Sequence, residues 1–141
     1  MSTDAASEPP PAPPLPPSGT TAVRAVLLDA DGVLQLIGTP WYRALSAGGG
    51  EPFAKALLSR EGPALSGRES LRDLLERLVV ELDLARGADE LMALWRQATP
   101  DPPAWQLVRE LRAAGYLTVL ATNQHEERRE WMRTALDYDG L

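Results

Sequence analysis

The sequence has no cysteine, a single histidine, a single phenylalanine and a single lysine, Lys55. Without cysteine, disulfides and Cys-based metal sites are excluded. The other cations are all arginine, and acids outnumber bases 20 to 14, giving a formal charge of −6. Nucleic-acid affinity comes mainly from clustered Lys and Arg neutralising phosphates, so this balance excludes a phosphate-backbone binder. Long apolar runs are missing too. The longest, such as Leu117 to Ala121, are far too short to span a bilayer, and no membrane partner is expected. Residues 1–18 lack both a basic start and an apolar stretch, so they form neither a secretory signal nor a transit peptide, and the expected location is cytoplasmic. Proline is plentiful but segregated, with seven of 13 falling within the first 17 residues. Its ring fixes φ and removes a backbone donor, so residues 1–21 read as a disordered, polyproline-like tail outside the fold. The remainder is one domain's worth of chain, and 44% hydrophobic residues is ordinary for a globular protein.

Ala22 to Ala30 is a short Val- and Leu-rich run that stops abruptly at Asp29, Asp31 and Gly32, the pattern of a buried parallel strand. A Gly-punctuated stretch, 35–50, follows, with a helical turn or two at Trp41. Helices are expected over Glu51 to Arg60, Ser66 to Leu84 and Ala88 to Ala98. In the second, Leu71, Leu74, Leu75, Leu78, Val79 and Leu82 line one face, and Ser66 with Glu69 reads as a capping box. Asp101 caps a helix that starts with two prolines, buries Ala104, Leu107, Val108 and Leu111, and stops at Gly115. Leu117 to Ala121 is a second buried strand. Glu126 to Leu136 is a last helix with Trp131, Met132, Ala135 and Leu136 inward. This order predicts an α/β fold, a Rossmann-like partial parallel sheet over 22–35 and 101–141 with an all-helical insertion over 36–100.

Ligands of open parallel sheets bind beyond the carboxyl ends of the strands. Both strands end in polar residues there, Asp29-Ala30-Asp31-Gly32 and Thr122-Asn123-Gln124. On extended chain, residues two apart project to the same side, so the carboxylates of Asp29 and Asp31 can converge. A hard cation relieves their repulsion, and Mg²⁺ with phosphate is the usual combination, since it keeps several waters and takes one or two carboxylates. One carboxylate can then attack phosphorus while the other moves protons. Thr122 and the amides opening the next helix can hold a phosphate oxygen. An EF-hand loop also begins Asp-x-Asp, but Val33, Leu34 and Pro40 occupy its fifth, sixth and twelfth positions, so calcium-loop geometry fails.

AVLLDADGVL and LTVLATNQ resemble the first and second motifs of the haloacid dehalogenase-like hydrolase superfamily, in the branch with a helical cap after the first strand. The resemblance covers about residues 23–141. It implies Asp29 as the nucleophile forming an aspartyl-phosphate, and Asp31 as general acid and then base, with its backbone carbonyl on Mg²⁺. Thr122 would bind the transferring phosphoryl group, with Asn123 in support. Members acting as dehalogenases lack the second Asp, so the implied activity is a Mg²⁺-dependent phosphatase acting on a small phosphorylated metabolite beneath a gating cap.

The pattern departs from the family downstream. Its third motif is a Lys and its fourth an acidic pair, and neither follows Asn123 here. Lys55 lies in the cap and reads as a solvated helix residue; Arg128 or Arg129 are the cations that could stand near the site. The expectation is therefore a C-terminally truncated member. Its alternative is a catalytically inactive remnant, or a module that binds phosphate or Mg²⁺ without turnover. The other conspicuous residues have quieter readings. His125 reads as solvated or helix-capping, Trp95, Trp105 and Trp131 as packing, and Glu126 to Glu130 as a solvated helical face. Trp41 and Tyr42 lie nearer the expected mouth between cap and core.

Overall fold

The computed structural model describes residues 14–20 and 22–141. Strand β1 (Ala25–Leu28) pairs in parallel with β4 (Leu117–Leu120), Leu28 lying opposite Leu120. Parallel strands need a long crossover. Here it contains a helical block of α1 (Trp41–Arg60), α2 (Gly62–Leu65), α3 (Leu71–Glu81) and α4 (Ala88–Met92), and then α5 (Pro102–Ala113). Helix α6 (Glu126–Ala135) follows β4. A mixed α/β fold with a small parallel sheet and inserted helices is what the family resemblance implies.

The chain leaves and re-enters the sheet region through a two-residue antiparallel ladder, β2 (Gln35–Leu36) against β3 (Thr99–Pro100). Leu34 ties this neck to α5, since its carbonyl accepts from the Asp101 N–H at 2.9 Å and from the Trp105 indole N–H at 2.9 Å. Two apolar clusters lie on either side of it. The larger joins Leu45, Phe53 and Leu57 of α1 to Leu71, Leu74, Leu75 and Leu78 of α3 and to Leu91 and Trp95. The smaller gathers Leu34, Trp105 and Val108, with Leu28 packed against them.

Several local expectations change. The helix expected at Glu51 and the turns expected at Trp41 join into α1, broken only at Gly50, whose φ of 88° is a conformation that glycine adopts without steric cost. The capping box at Ser66 and Glu69 does not form. Gly67, at φ 71°, separates Ser66 from α3, and Ser66 ends α2 instead. The N-cap is Ser70, whose hydroxyl accepts from the Asp73 N–H at 3.0 Å, one turn closer to the apolar face it introduces. Ser70→Ala is expected to cost about 1 kcal/mol of stability with little change in m-value, read from a urea midpoint. In α5, Trp105 replaces Leu107 in the core, and Asp101 occupies the N-cap position without a side-chain bond. Trp131 and Leu136 are only partly covered on α6, and Ala135 is exposed.

Both strands were expected to be buried, yet Leu27 is 69% exposed and Leu117, Val119 and Leu120 are also exposed. The small apolar cluster receives Leu28 on one side of the sheet, and among the described residues nothing covers Leu27 on the other.

Of the tail expected over residues 1–21, the structure describes residues 14–20. Residues 1–13 and 21 lie outside the described residues, but Ser18–Thr20 forms a 3₁₀ turn docked on the α5–β4 corner. The Ser18 N–H donates to the Ala114 carbonyl at 3.0 Å, and the Tyr116 hydroxyl to the Pro16 carbonyl at 2.9 Å. Gly115, at φ 89°, makes room, since a Cβ there would stand 2.8 Å from the Ser18 hydroxyl.

Candidate functional site

The polar ends of β1 and β4 lie side by side, because the register that sets Leu28 beside Leu120 continues in the Ala121 N–H bond to the Leu28 carbonyl at 2.8 Å. Asp29 and Ala121 begin the two loops. Strand β1 stops before Asp29, and the chain turns at once: the Ala30 carbonyl accepts from the N–H groups of Val33, Leu34 and Gln35, and Gly32 takes φ 75°. Asp29 and Asp31 therefore stand just before this turn, and among the described residues their two carboxylates share no hydrogen-bond partner.

Asp29 is exposed. Its Oδ1 accepts from the Ala30 N–H at 2.7 Å, which fixes the carboxylate plane, while Oδ2 accepts no hydrogen bond among the described residues. Asp31 is enclosed. Arg128 grips it with two parallel bonds, one guanidinium nitrogen 2.6 Å from Oδ2 and the other 2.6 Å from Oδ1. Gln35 donates to Oδ1 at 2.7 Å, and Gln124 reaches Oδ2 at 3.5 Å. Burial by itself pushes the Asp31 carboxyl up, but the hydrogen bonds of Arg128 and Gln35 and the guanidinium charge together hold it below the ordinary carboxylate range.

Arg128 was expected on a solvated face with Glu126, Glu127, Arg129 and Glu130; its side chain is 3% exposed. The correction has a helical reason. Position 128 precedes Met132 by one turn and shares its inward face. Beyond Asp31, Arg128 donates to the Gln124 side-chain carbonyl at 2.6 Å and to the Trp95 main-chain carbonyl at 3.2 Å, and it stacks 4.6 Å from the centre of the Trp41 ring. It thus joins the helical block, through Trp41 and Trp95, to the strand ends, through Asp31. Such a stacked, desolvated cation contributes on the order of 1–2 kcal/mol.

Gln35 is a second site residue the sequence reading missed. Fully buried, it donates to Asp31 and accepts from the Tyr138 hydroxyl at 3.0 Å. Burial, with further contributions from Asp31 and Asp29 set against Arg128, pushes the Tyr138 phenol up to about 12. Thr122 accepts from Gln124 at 3.0 Å, which leaves its hydroxyl proton free for an incoming oxygen. Asn123 is exposed and lines, with Asp31 and Arg128, a cavity of about 220 Å³ between the strand ends and the helical block. Asp29 does not line it.

Lys55 is solvated and pairs with Glu51 at 3.8 Å. Tyr42 is exposed and donates to Glu51 at 3.1 Å. His125 is not solvated: it holds the N-cap position of α6 and lies buried against Trp95, edge to face. Trp41 and Trp95 stack with ring centres 6.2 Å apart.

The implied Mg²⁺ can be tested against the donors present. The Asp31 carboxylate is taken up by a guanidinium, so its side chain does not fit a dication, whereas the Asp29 carboxylate is exposed and accepts only from the Ala30 N–H, so one oxygen can face a cation while the other stays free. Among the described residues no cluster of three or more His, Cys, Asp or Glu could hold a metal. One carboxylate with retained waters is within the habits of Mg²⁺. The fit therefore rests on Asp29 alone among the side chains. Also among the described residues, no helix is long and apolar enough to cross a membrane.

No family model matches the chain, and no curated protein is significantly similar to it. Among solved structures it is similar to the L-2-haloacid dehalogenase of Xanthobacter autotrophicus, with a TM-score of 0.48 and 23% identity, over 84% of this chain and 54% of that protein. The chain thus spans about half the length of that relative.

Proposed function

We propose that the chain carries the nucleophile of a haloacid dehalogenase-like hydrolase, a Mg²⁺-dependent phosphatase acting on a small phosphorylated metabolite. The observation that supports it best is the contrast between its two carboxylates. Asp29 is exposed at the end of β1, with one oxygen pinned and the other free, while Asp31 is locked by Arg128. Paired acids placed in different environments take different roles. The free oxygen of Asp29 attacks phosphorus, forming the acyl phosphate as the bond to the leaving oxygen breaks. Water then hydrolyses that acyl phosphate, restoring the carboxylate and releasing inorganic phosphate. The Thr122 hydroxyl donates to a phosphoryl oxygen, with Asn123 beside it. Mg²⁺ held by Asp29 would supply the positive charge that the neutralised Arg128 does not.

The general-acid role expected of Asp31 meets an obstacle in this arrangement, because a carboxyl held ionised by a bidentate guanidinium has no proton to give. Protonation of the leaving group contributes on the order of 10²–10⁴-fold in rate. The expected result with Mg²⁺ is that p-nitrophenyl phosphate, whose leaving group needs no proton, is hydrolysed faster than phenyl phosphate by a factor in that range. Equal rates would return Asp31 to the acid role.

The Arg128 lock also favours a second reading, a module that binds phosphate or Mg²⁺ without turnover, in which Asp31 serves only to anchor the helical block. It predicts no phosphate release from either ester.

A further inference from the structure

Helix α6 meets the helical block along its first turn, where a short row of side chains crosses the seam. Glu127 accepts from the Arg72 N–H of α3 at 3.3 Å, Arg128 reaches the Trp95 carbonyl and the Trp41 ring, and His125 lies edge to face against Trp95. A further contact can change its strength. His125 Nε2 is buried, makes no hydrogen bond, and stands 3.4 Å from Glu61 Oε2. Glu61 is fixed on the block side at the junction of α1 and α2: its N–H donates to the Leu57 carbonyl at 2.9 Å, and its carbonyl accepts from the Leu65 N–H at 2.9 Å.

A neutral imidazole serves this position badly. With the proton on Nδ1, Nε2 turns a lone pair toward a carboxylate; with the proton on Nε2, the N–H is not aligned on Glu61. Either way a buried polar atom is left unsatisfied. An imidazolium instead sets a positive charge beside the carboxylate, an attraction that does not depend on alignment. The other charges nearby leave that attraction in place. Arg128 of the same helix and Asp31 of the loop after β1 are bound to each other, Glu126 turns to Arg129, and Glu127 turns to α3. Among the described residues, Glu61 is therefore the unbalanced charge that faces His125.

We propose that His125 and Glu61 form a protonation-dependent clasp between α6 and the helical block, closed when the imidazole is charged. Histidine changes charge between pH of about 5 and 8, and carboxylates are ionised above a pH of about 4. The clasp is thus closed at the acid end of the histidine range and released as pH rises through it. His125 and Glu61 both line the 220 Å³ cavity that Asp31 and Asn123 share, so within the hydrolase reading the clasp acts on the enclosure of that cavity. That placement rests on the reading above; the clasp itself does not.

The test uses no substrate, so it succeeds or fails independently of turnover. His125 is the only histidine of the chain, and its imidazole proton resonances report its charge without ambiguity. Urea midpoints of the full chain and of Glu61→Gln are compared at pH of about 5 and about 8. The control is Glu126→Gln, which removes a carboxylate adjacent in sequence but turned to Arg129. Glu61→Gln is expected to lower the folding equilibrium constant about tenfold at the acid pH and to leave it unchanged at the alkaline one, with Glu126→Gln changing little at either. Folding of each variant is checked by circular dichroism, and Glu61→Asp, which only withdraws the carboxylate, should give a smaller loss with the same pH dependence. The proposal is overturned if Glu61→Gln costs the same at both pH values, if Glu126→Gln reproduces its acid-side loss, or if the imidazole of the folded chain stays neutral at the acid pH.

Discussion

Arg128→Leu is expected to lower the stability of the chain by about 3 kcal/mol, the low end of the cost of breaking a buried ion pair by removing one partner. The low end applies because Asp31 keeps about a fifth of its side-chain surface exposed and retains Gln35 and Gln124. Leucine preserves apolar bulk against Trp41, so the loss reports the charge and its hydrogen bonds. Lysine at 128 should rescue little, since an ammonium reproduces neither the two parallel bonds to Asp31 nor the flat stack on Trp41. Denaturant midpoints of Arg128→Leu, Asp31→Asn and the double variant give the coupling directly, and a coupling near zero would remove Arg128 from its place as the joint between helical block and strand ends.

The same pair sets an acid limb. Asp31 is held below its ordinary value in the folded chain, so its contribution is fully present above the unfolded carboxylate value of about 4 and is lost as pH falls through the lowered one. The gap between the unaltered chain and Arg128→Leu should therefore be constant near neutrality and narrow below pH of about 4. A gap that stays constant through that range would mean that the ion pair contributes nothing to it.

Asp29→Asn is expected to abolish phosphate release, with a loss of about 10⁴-fold or more, the scale on which removing an attacking group reads in covalent hydrolases. The amide keeps the size of the carboxylate, and its carbonyl oxygen still accepts from the Ala30 N–H, so local structure should survive. What disappears is the free anionic oxygen. Stability should change by no more than about 0.5 kcal/mol, because the side chain is exposed and only the Ala30 bond holds it. This separates Asp29 from Asp31, whose replacement damages the fold first. An Asp29→Asn chain that releases phosphate at the unaltered rate would leave Asp29 a turn former at the end of a strand.

What could be read from the sequence follows from what is local. The β1 and β4 runs, the apolar face of α3 at Leu71, Leu74, Leu75 and Leu78, and the stop at Gly115 depend on periodicity and turn chemistry within a few residues. Leu27 and Val119 belong to apolar runs that read as buried, but burial depends on what covers the sheet, and no local pattern contains that. The contacts that define the site join distant parts of the chain, as in the pairing of Asp31 with Arg128 and of Gln35 with Tyr138. For Arg128 a signal existed. It stands one turn before Met132 on the inward face of α6, and a charge on such a face demands a partner. Gln35 gave none, since a single amide at the start of a Gly-punctuated stretch carries no periodic signal. The neck ladder of β2 and β3 is only two residues a side, too short for alternation to show.

As nucleophile, Asp29 forms a covalent bond to phosphorus, and that bond can be trapped. The full chain, mixed with p-nitrophenyl phosphate and Mg²⁺ and quenched in acid, should yield a phosphoryl adduct that peptide mass spectrometry places on Asp29 and that Asp29→Asn lacks. Phosphate release by a chain that carries no adduct at Asp29, or an adduct on another residue, would mean that Asp29 is not the nucleophile.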